Sequence, residues 1–351
     1  MTPRRAALLL AGGLALIVFA IWLSSKRHLD RATLAGDLVL PGFEHAVNEV
    51  TEVDLHRGDG TRTSLKKASH GWVVGERDWA AEPGKVRKLL LDLGALNVVE
   101  EKTRLPANYP QLGVEDVSSP TATGTQIDAV TPRRTFSLIV GKSSSGKSGY
   151  VRVAGTVPSL LAAPLLTLDA DPKTWLERSV IDLPVARVRQ VEEKPAEGQA
   201  FTATRDKKEQ ADFTVAPIPK GRALTSAGAA DAIAAALSSL MLEDVQKAAA
   251  PGGKLSHAVF RTFDGLEIEA AGRKDGAHAF LSLKVSASAK DAEAESLELN
   301  TRLGGWEFEI PEYKYSAIFR TLEELLQPLP PKPEAKKAKA PAKTPADGGG
   351  K

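Results

Sequence analysis

The stretch Thr135–Gly155, TFSLIVGKSSSGKSGYVRVAG, offers two incompatible folds. Gly141–Ser148 spells the phosphate-binding pattern G-x-x-x-x-G-K-[ST], and a strand-like run, Phe136–Val140, leads into it. A P-loop would commit the chain to alternating β and α units and to nucleotide hydrolysis. Its loop N–H groups and the start of a following helix must together cradle phosphate. The residues after Ser148 do not favour that helix. Gly149 stands where it should begin, at a cost of about 1 kcal/mol, and Tyr150, Val151 and Val153 favour a pleated strand. Gly155 and Pro158 then close the segment. The spacing predicts two antiparallel strands joined by a Ser/Gly/Lys turn. The competing reading, a P-loop NTPase at Gly141–Ser148, also needs an apolar strand ending in an acidic Mg²⁺-supporting residue, and the sequence supplies none.

A hairpin at this place predicts an antiparallel α+β body, and the rest of the chain agrees. Strand-like runs are read at Val50–His56, Thr61–Leu65, Gly71–Val74, Thr125–Val130, Phe136–Val140 and Tyr150–Val153. Pro83 suits a helix start, and Val86, Leu89, Leu90, Leu93 and Leu96 form one apolar helical stripe. Asn108–Val114 reads as a loop and Pro172–Arg178 as a short helical turn. The pattern then recurs. Val185, Val188 and Val191 repeat the spacing of Val47, Val50 and Val53, and Phe213-Thr214-Val215 echoes Trp72-Val73-Val74. A second helix is expected over Ala227–Met241, strands over Ala258–Phe263, Leu266–Ala270 and Trp306–Ile310, and a helix over Tyr313–Leu326. Similar words in the same order at a nearly constant offset indicate a duplicated unit. The expected architecture is therefore two tandem similar units, 47–183 and 184–327, each a mostly antiparallel sheet with one packed helix.

The ends differ from this body. Ala6–Leu23 is apolar throughout and flanked by Arg4-Arg5 and Lys26-Arg27. At about 1.5 Å per residue this run just spans a bilayer core. It is longer than the apolar core of a signal peptide and lacks an A-x-A-like cleavage site. Residues 1–26 are read as an uncleaved single-pass anchor and 27–46 as a stalk. The positive-inside count is close to a tie, so charge does not orient the anchor. Residues 328–351 carry six lysines against Glu334 and Asp347, a net of +4 within a chain total of +2. The body is thus slightly acidic and has no electrostatic footprint for nucleic acid. The Pro/Ala/Lys tail is expected to be disordered, either a spacer or a weak contact for anionic lipid or cell-wall polymer.

The chemistry-bearing residues do not converge. With no cysteine in the chain, disulfides, thiolate metal sites and cysteine nucleophiles are excluded. Histidines 28, 45, 56, 70, 257 and 278 are scattered, without the i, i+4 spacing of a helical metal site. Glu100-Glu101 and Glu192-Glu193 read as solvated faces, and Trp72, Trp79 and Trp306 as core or sheet-face aromatics. The sequence therefore designates no catalytic, cofactor-binding or metal-binding residue.

W-V-V followed by a leucine helix, Y-P-Q-L-G-V, F-S-L-I-V-G, G-Y-V-R-V and W-E-F-E-I-P-E together resemble the bacterial domain-of-unknown-function family numbered 4340. The similarity covers roughly Val47–Gln327, although the second unit has no Tyr-Pro-x-x-Gly loop. It implies a membrane-anchored chain with its body in the periplasm. Some members are similar to proteins encoded beside ABC-type exporters linked to gliding motility. No catalytic residues are established for that family, so none carry over. The expected function is a non-enzymatic, extracytoplasmic accessory or scaffold protein, with an ABC-type transporter component as a candidate partner. The alternative is an envelope protein that binds a glycan or lipid. An enclosed apolar pocket would favour the latter, an exposed apolar patch the former.

Overall fold

Inward and outward positions alternate along Ser256–Thr262, with Ser256, Ala258, Phe260 and Thr262 buried and the residues between them more open. That period of two makes one side of a sheet a core wall and leaves the other polar. The computed structural model describes residues 35–249 and 253–328, and its strands are organised in this way. The first half contributes β1 (Glu52–Arg57), β2 (Arg62–Ala68), β3 (Gly71–Val74), β4 (Trp79–Ala80), β5 (Asn97–Thr103), β6 (Thr125–Val130), β7 (Thr135–Ser145), β8 (Ser148–Val153) and β9 (Ser159–Ala163). They pair antiparallel in the order β4-β3-β2-β1-β6-β7-β8-β9-β5.

The second half contributes β10 (Ser179–Ile181), β11 (Val188–Lys194), β12 (Phe201–Thr204), β13 (Thr214–Ala216), β14 (Leu240–Met241), β15 (Asp244–Lys247), β16 (Ser256–Thr262), β17 (Leu266–Asp275), β18 (His278–Ala287) and β19 (Trp306–Ile310). Eight of these form a sheet in the order β13-β12-β11-β16-β17-β18-β19-β15, while β10 pairs with β14. With β4 set aside, the two large sheets take their strands in the same relative order. The closing contacts match as well. Ala81 bridges Leu176, flanked by Glu82 N–H donating to Trp175 O and Glu177 N–H to Ala80 O, 2.8 Å each. Leu224 bridges Leu326, flanked by Thr225 N–H to Leu325 O and Gln327 N–H to Ala223 O, again 2.8 Å each.

The helix Pro83–Gly94 follows from its stripe. Val86, Leu89, Leu90 and Leu93 are buried, Pro83 sits in its first turn, and the Glu82 carboxylate accepts the Gly84 and Lys85 N–H groups. Several expectations need correction, and Asn108–Val114, read as a loop, contains the short helix Tyr109–Leu112, ended by Gly113 in the left-handed region. Ala227–Met241 holds only the short helix Asp231–Ala234 among turns, and its last two residues form β14. Asp231 instead accepts the Phe213 N–H (3.2 Å), Ser238 donates to Leu183 O (2.7 Å), and Ser239 has a left-handed φ of 48°. These contacts favour turns over a continuous helix. Tyr313–Leu326 is split into helices Glu312–Ile318 and Leu322–Leu325. The break lets Phe319 lie against Gly272, whose missing Cβ makes room for the ring.

The helix Glu293–Leu303, which packs on β18, has no counterpart in the sequence reading. The stalk reading of 27–46 does not hold over its described part. Val39, Leu40 and Phe43 are buried, and Phe43 meets Phe136 edge-on at 4.9 Å.

One continuous hydrophobic cluster runs from Val39 to Leu326 and draws on both large sheets. Among the described residues no helix is long and apolar enough to cross a membrane. The anchor read at 1–26 and the tail beyond Pro328 lie outside the described residues.

Candidate functional site

Gly141–Ser148 lies in the β7–β8 hairpin that its flanking residues predict. Val140 pairs with Val151, Ser143 with Gly149 and Ser145 with Ser148. A Cβ on Gly141 would collide with the Leu112 carbonyl, so this glycine admits the neighbouring loop rather than a phosphate. Lys142 donates to the Pro110 and Gln111 carbonyls at 3.2 Å, and the Ser145 and Ser148 hydroxyls lie 2.9 Å apart. The chain continues from Ser148 as strand. The helix N-terminus that a P-loop requires is not present there.

A cleft of about 600 Å³ lies where the two halves meet. The β3–β4 turn, Gly75–Asp78, faces β15 together with His278, Phe280, Glu307 and Glu309. Arg77 grips Asp244 through two bonds, Nε to Oδ1 at 2.6 Å and Nη2 to Oδ2 at 3.0 Å. Lys173 reaches Asp244 at 3.1 Å and Glu309 at 3.6 Å. Lys247 meets Asp78 at 3.0 Å and stands 3.5 Å over the Trp306 ring. Glu307 accepts from Arg273 and from the Gln246 amide, each at 2.7 Å. His278 Nδ1 lies 2.5 Å from Glu309. Beneath these charges Trp79 packs edge-on against Trp306 at 5.2 Å and Phe308 at 5.3 Å, and its indole N–H donates to Glu177 O at 2.9 Å.

The electrostatics reflect this pairing. Burial would raise the Asp244 carboxyl, but hydrogen bonds from Arg77, the Val245 N–H and Lys173 outweigh it and hold the group below its ordinary range. Burial likewise opposes, and Arg273 with Gln246 overcomes, the ionisation of Glu307. Carboxylates held ionised against fixed cations are poor proton carriers. They are well suited to locking two surfaces in register.

The residues singled out in the sequence do not gather at this cleft as a set. His278 lines it, whereas His56 lies 3.7 Å from Asp128. Among the described residues no cluster of three metal-ligating side chains occurs; His28 lies outside them. Glu100 and Glu101 pair with Lys102 and Arg104, and Glu192 with Lys194 and Arg261, as solvated faces do. Glu193 corrects that reading. It is wholly buried, neither carboxylate oxygen has a partner, and burial pushes its pKa up to about 9. Trp79 is core, and Trp72 and Trp306 pack against the core half-buried. Sequence reasoning missed Arg77, Lys173 and Asp244. They come together only through the fold, and no local pattern marks them.

Residues 72–255 match the model of the family described as "Domain of unknown function (DUF4340)". That range includes Arg77 and Trp79 from one side of the cleft and Asp244 and Lys247 from the other. No curated protein and no solved structure matches the chain.

Proposed function

This chain belongs to the DUF4340 family, and from that premise we propose that it is a membrane-tethered accessory protein, acting as a scaffold without catalysis. The observation that carries the reading is the state of the cleft at the junction of the two halves. Charged side chains that line it are engaged across the junction, Arg77 with Asp244 and Asp78 with Lys247, and Lys173 beside it holds Asp244 and Glu309. Such a cleft fixes the relative placement of two surfaces, which is what a scaffold requires. We read the halves, 47–183 and 184–327, as tandem copies. The shared strand order and the matching closures at Ala81–Leu176 and Leu224–Leu326 support this. Two related surfaces on one rigid body suit a chain that engages two places on an assembly.

The apolar run Ala6–Leu23 is the proposed single-pass anchor in a bacterial inner membrane, with the body in the periplasm. A tether raises the body's effective concentration for membrane-bound partners, so weak patches suffice to hold them. An ABC-type transporter component is the proposed class of partner. A second reading, capture of an envelope glycan or lipid, draws on the volume of the cleft and on Phe280 among its lining residues. One experiment separates the two. The body is released by deleting residues 1–26, with export restored by another signal. Loss of function in a deletion strain, with the body folded, is expected for a scaffold. Full complementation at native abundance would overturn tethering and favour ligand capture.

A further inference from the structure

Exposed large apolar residues of the first half lie before, on and beyond its terminal strand β5. Leu91, Val99, Leu105 and Val157 are 53%, 44%, 64% and 52% exposed. Val99 lies on β5, the terminal strand of its sheet. Thr103 pairs with Ser159, so Leu105 and Val157 stand two residues beyond the last pair of β5 and β9. Leu91 lies in the last turn of the helix that leads into β5. The corresponding edge of the second sheet, β15, is covered by the β3–β4 turn through Arg77 and Asp78.

The chain arrives from its N-terminal run at this same edge. Gly36 N–H donates to Val98 O at 2.9 Å, Val98 N–H to Asp37 O at 2.8 Å and Val39 N–H to Leu96 O at 2.8 Å. A groove of about 470 Å³ continues from Leu38, Val39 and Pro41 to Val98, Pro158 and Leu160. The incoming segment, the groove and the exposed Leu105–Val157 pair thus form one continuous border. From Ser24, just past the apolar run, to Ala35 the chain spans at most about 40 Å when fully stretched.

We infer that this border is the membrane-facing edge of the body and that Leu105 and Val157 rest in the lipid headgroup region. The inference builds on the proposed tether. Isolated exposed apolar residues need no explanation, but a group of them beside the point of tethering is placed where lipid is always near. The adjoining acids do not repel an anionic surface outright, because Lys102 pairs with Glu100 and Arg104 with Glu101. The exposed Leu105 and Val157 side chains, with paired charges beside them, suit a shallow contact at an interface of lipid and water. The tether keeps the border at high local concentration, so shallow contacts suffice.

A chain without cysteine allows single-site labelling. Full-length Leu105→Cys, Val157→Cys and Ile218→Cys variants, each carrying an environment-sensitive fluorophore, would be reconstituted into phosphatidylglycerol–phosphatidylcholine vesicles containing nitroxide-labelled lipid. Ile218 lies past β13, at the opposite terminus of the second sheet, and is 38% exposed. Quenching at 105 and 157 is expected to exceed that at 218 at least twofold. Equal quenching at all three sites in a chain that floats with the vesicles after alkaline washing overturns the lipid-facing edge and leaves the tether intact. Protection of 105 and 157 from both lipid nitroxide and aqueous iodide overturns it in favour of a protein-covered edge. Failure of the chain to float removes the tether, and this inference with it.

Discussion

Glu193 lies on β11 opposite Phe201 and Ala258, a carboxyl without a hydrogen-bond partner inside an apolar wall. In the first sheet Leu55 holds the corresponding place, two residues past Val53 as Glu193 is two past Val191. Because burial lifts the folded pKa from an ordinary 4.5 to about 9, the acid is neutral in the folded chain at pH 7 and ionised in the unfolded one. Below about pH 4.5 both states are protonated and titration costs nothing; as the pH climbs toward 9 the unfolded state is progressively favoured. At pH 7 the penalty is on the order of 3 kcal/mol. Glu193→Gln should therefore flatten the fall in stability between pH 5 and 8, and Glu193→Leu should raise the urea midpoint at pH 8. Parallel stability–pH curves for wild type and Glu193→Gln would show that the carboxyl is solvated after all.

Among the elements, those whose side chains answer mainly to one neighbouring layer were legible. Val86, Leu89, Leu90 and Leu93 specify their helix because one stripe meets one core. Thr125–Val130 alternates because one sheet face is buried. The Gly141–Ser148 hairpin was legible from its second strand, since Tyr150, Val151 and Val153 leave no helix to hold phosphate. Addition of ATP and Mg²⁺ should accordingly leave the melting temperature unchanged, both in the wild type and in Lys147→Ala. A rise of several degrees that disappears in the variant would revive the P-loop.

Elements governed by distant contacts were not legible. Alanine-rich 227–241 favours helix by propensity, yet Asp231, Ser238 and Ser239 bond to Phe213, Leu183 and Asp182 instead. The helix Glu293–Leu303 buries Ser296 and leaves Leu297 71% exposed, so it carries no readable stripe. β5 contains Glu100, Glu101 and Lys102 and is interrupted by two register shifts, which conceals its alternation. The cleft was the least legible feature. Arg77 and Asp244 are 167 residues apart, and only the packed fold brings their charges together.

At the scale of the whole molecule the question is whether the two halves fold together or separately. Three layers join them. The segment Trp175–Ile181 pairs with Ala80–Glu82 on one side and, through β10, with β14 on the other. Trp79 inserts from the first half against Trp306 and Phe308 of the second. The ion pairs of Arg77 and Lys173 with Asp244 close over this aromatic contact. Because the hydrophobic cluster is continuous across the junction, opening it would expose core and leave charges unpaired. The body, residues 35–328, should therefore unfold in urea as one transition reported identically by tryptophan fluorescence and far-ultraviolet circular dichroism. Trp79→Ala removes a buried indole and should lower stability by about 3–5 kcal/mol. Arg77→Ala removes two hydrogen bonds from Asp244, which keeps Lys173 and the Val245 N–H, and should cost about 1–3 kcal/mol. The two residues belong to one contact, so their effects should not add, and the double variant should separate the transition into two. Two transitions already present in the wild type, with midpoints that Trp79→Ala leaves unmoved, would mean that the halves are independent domains and that the cleft does not lock them.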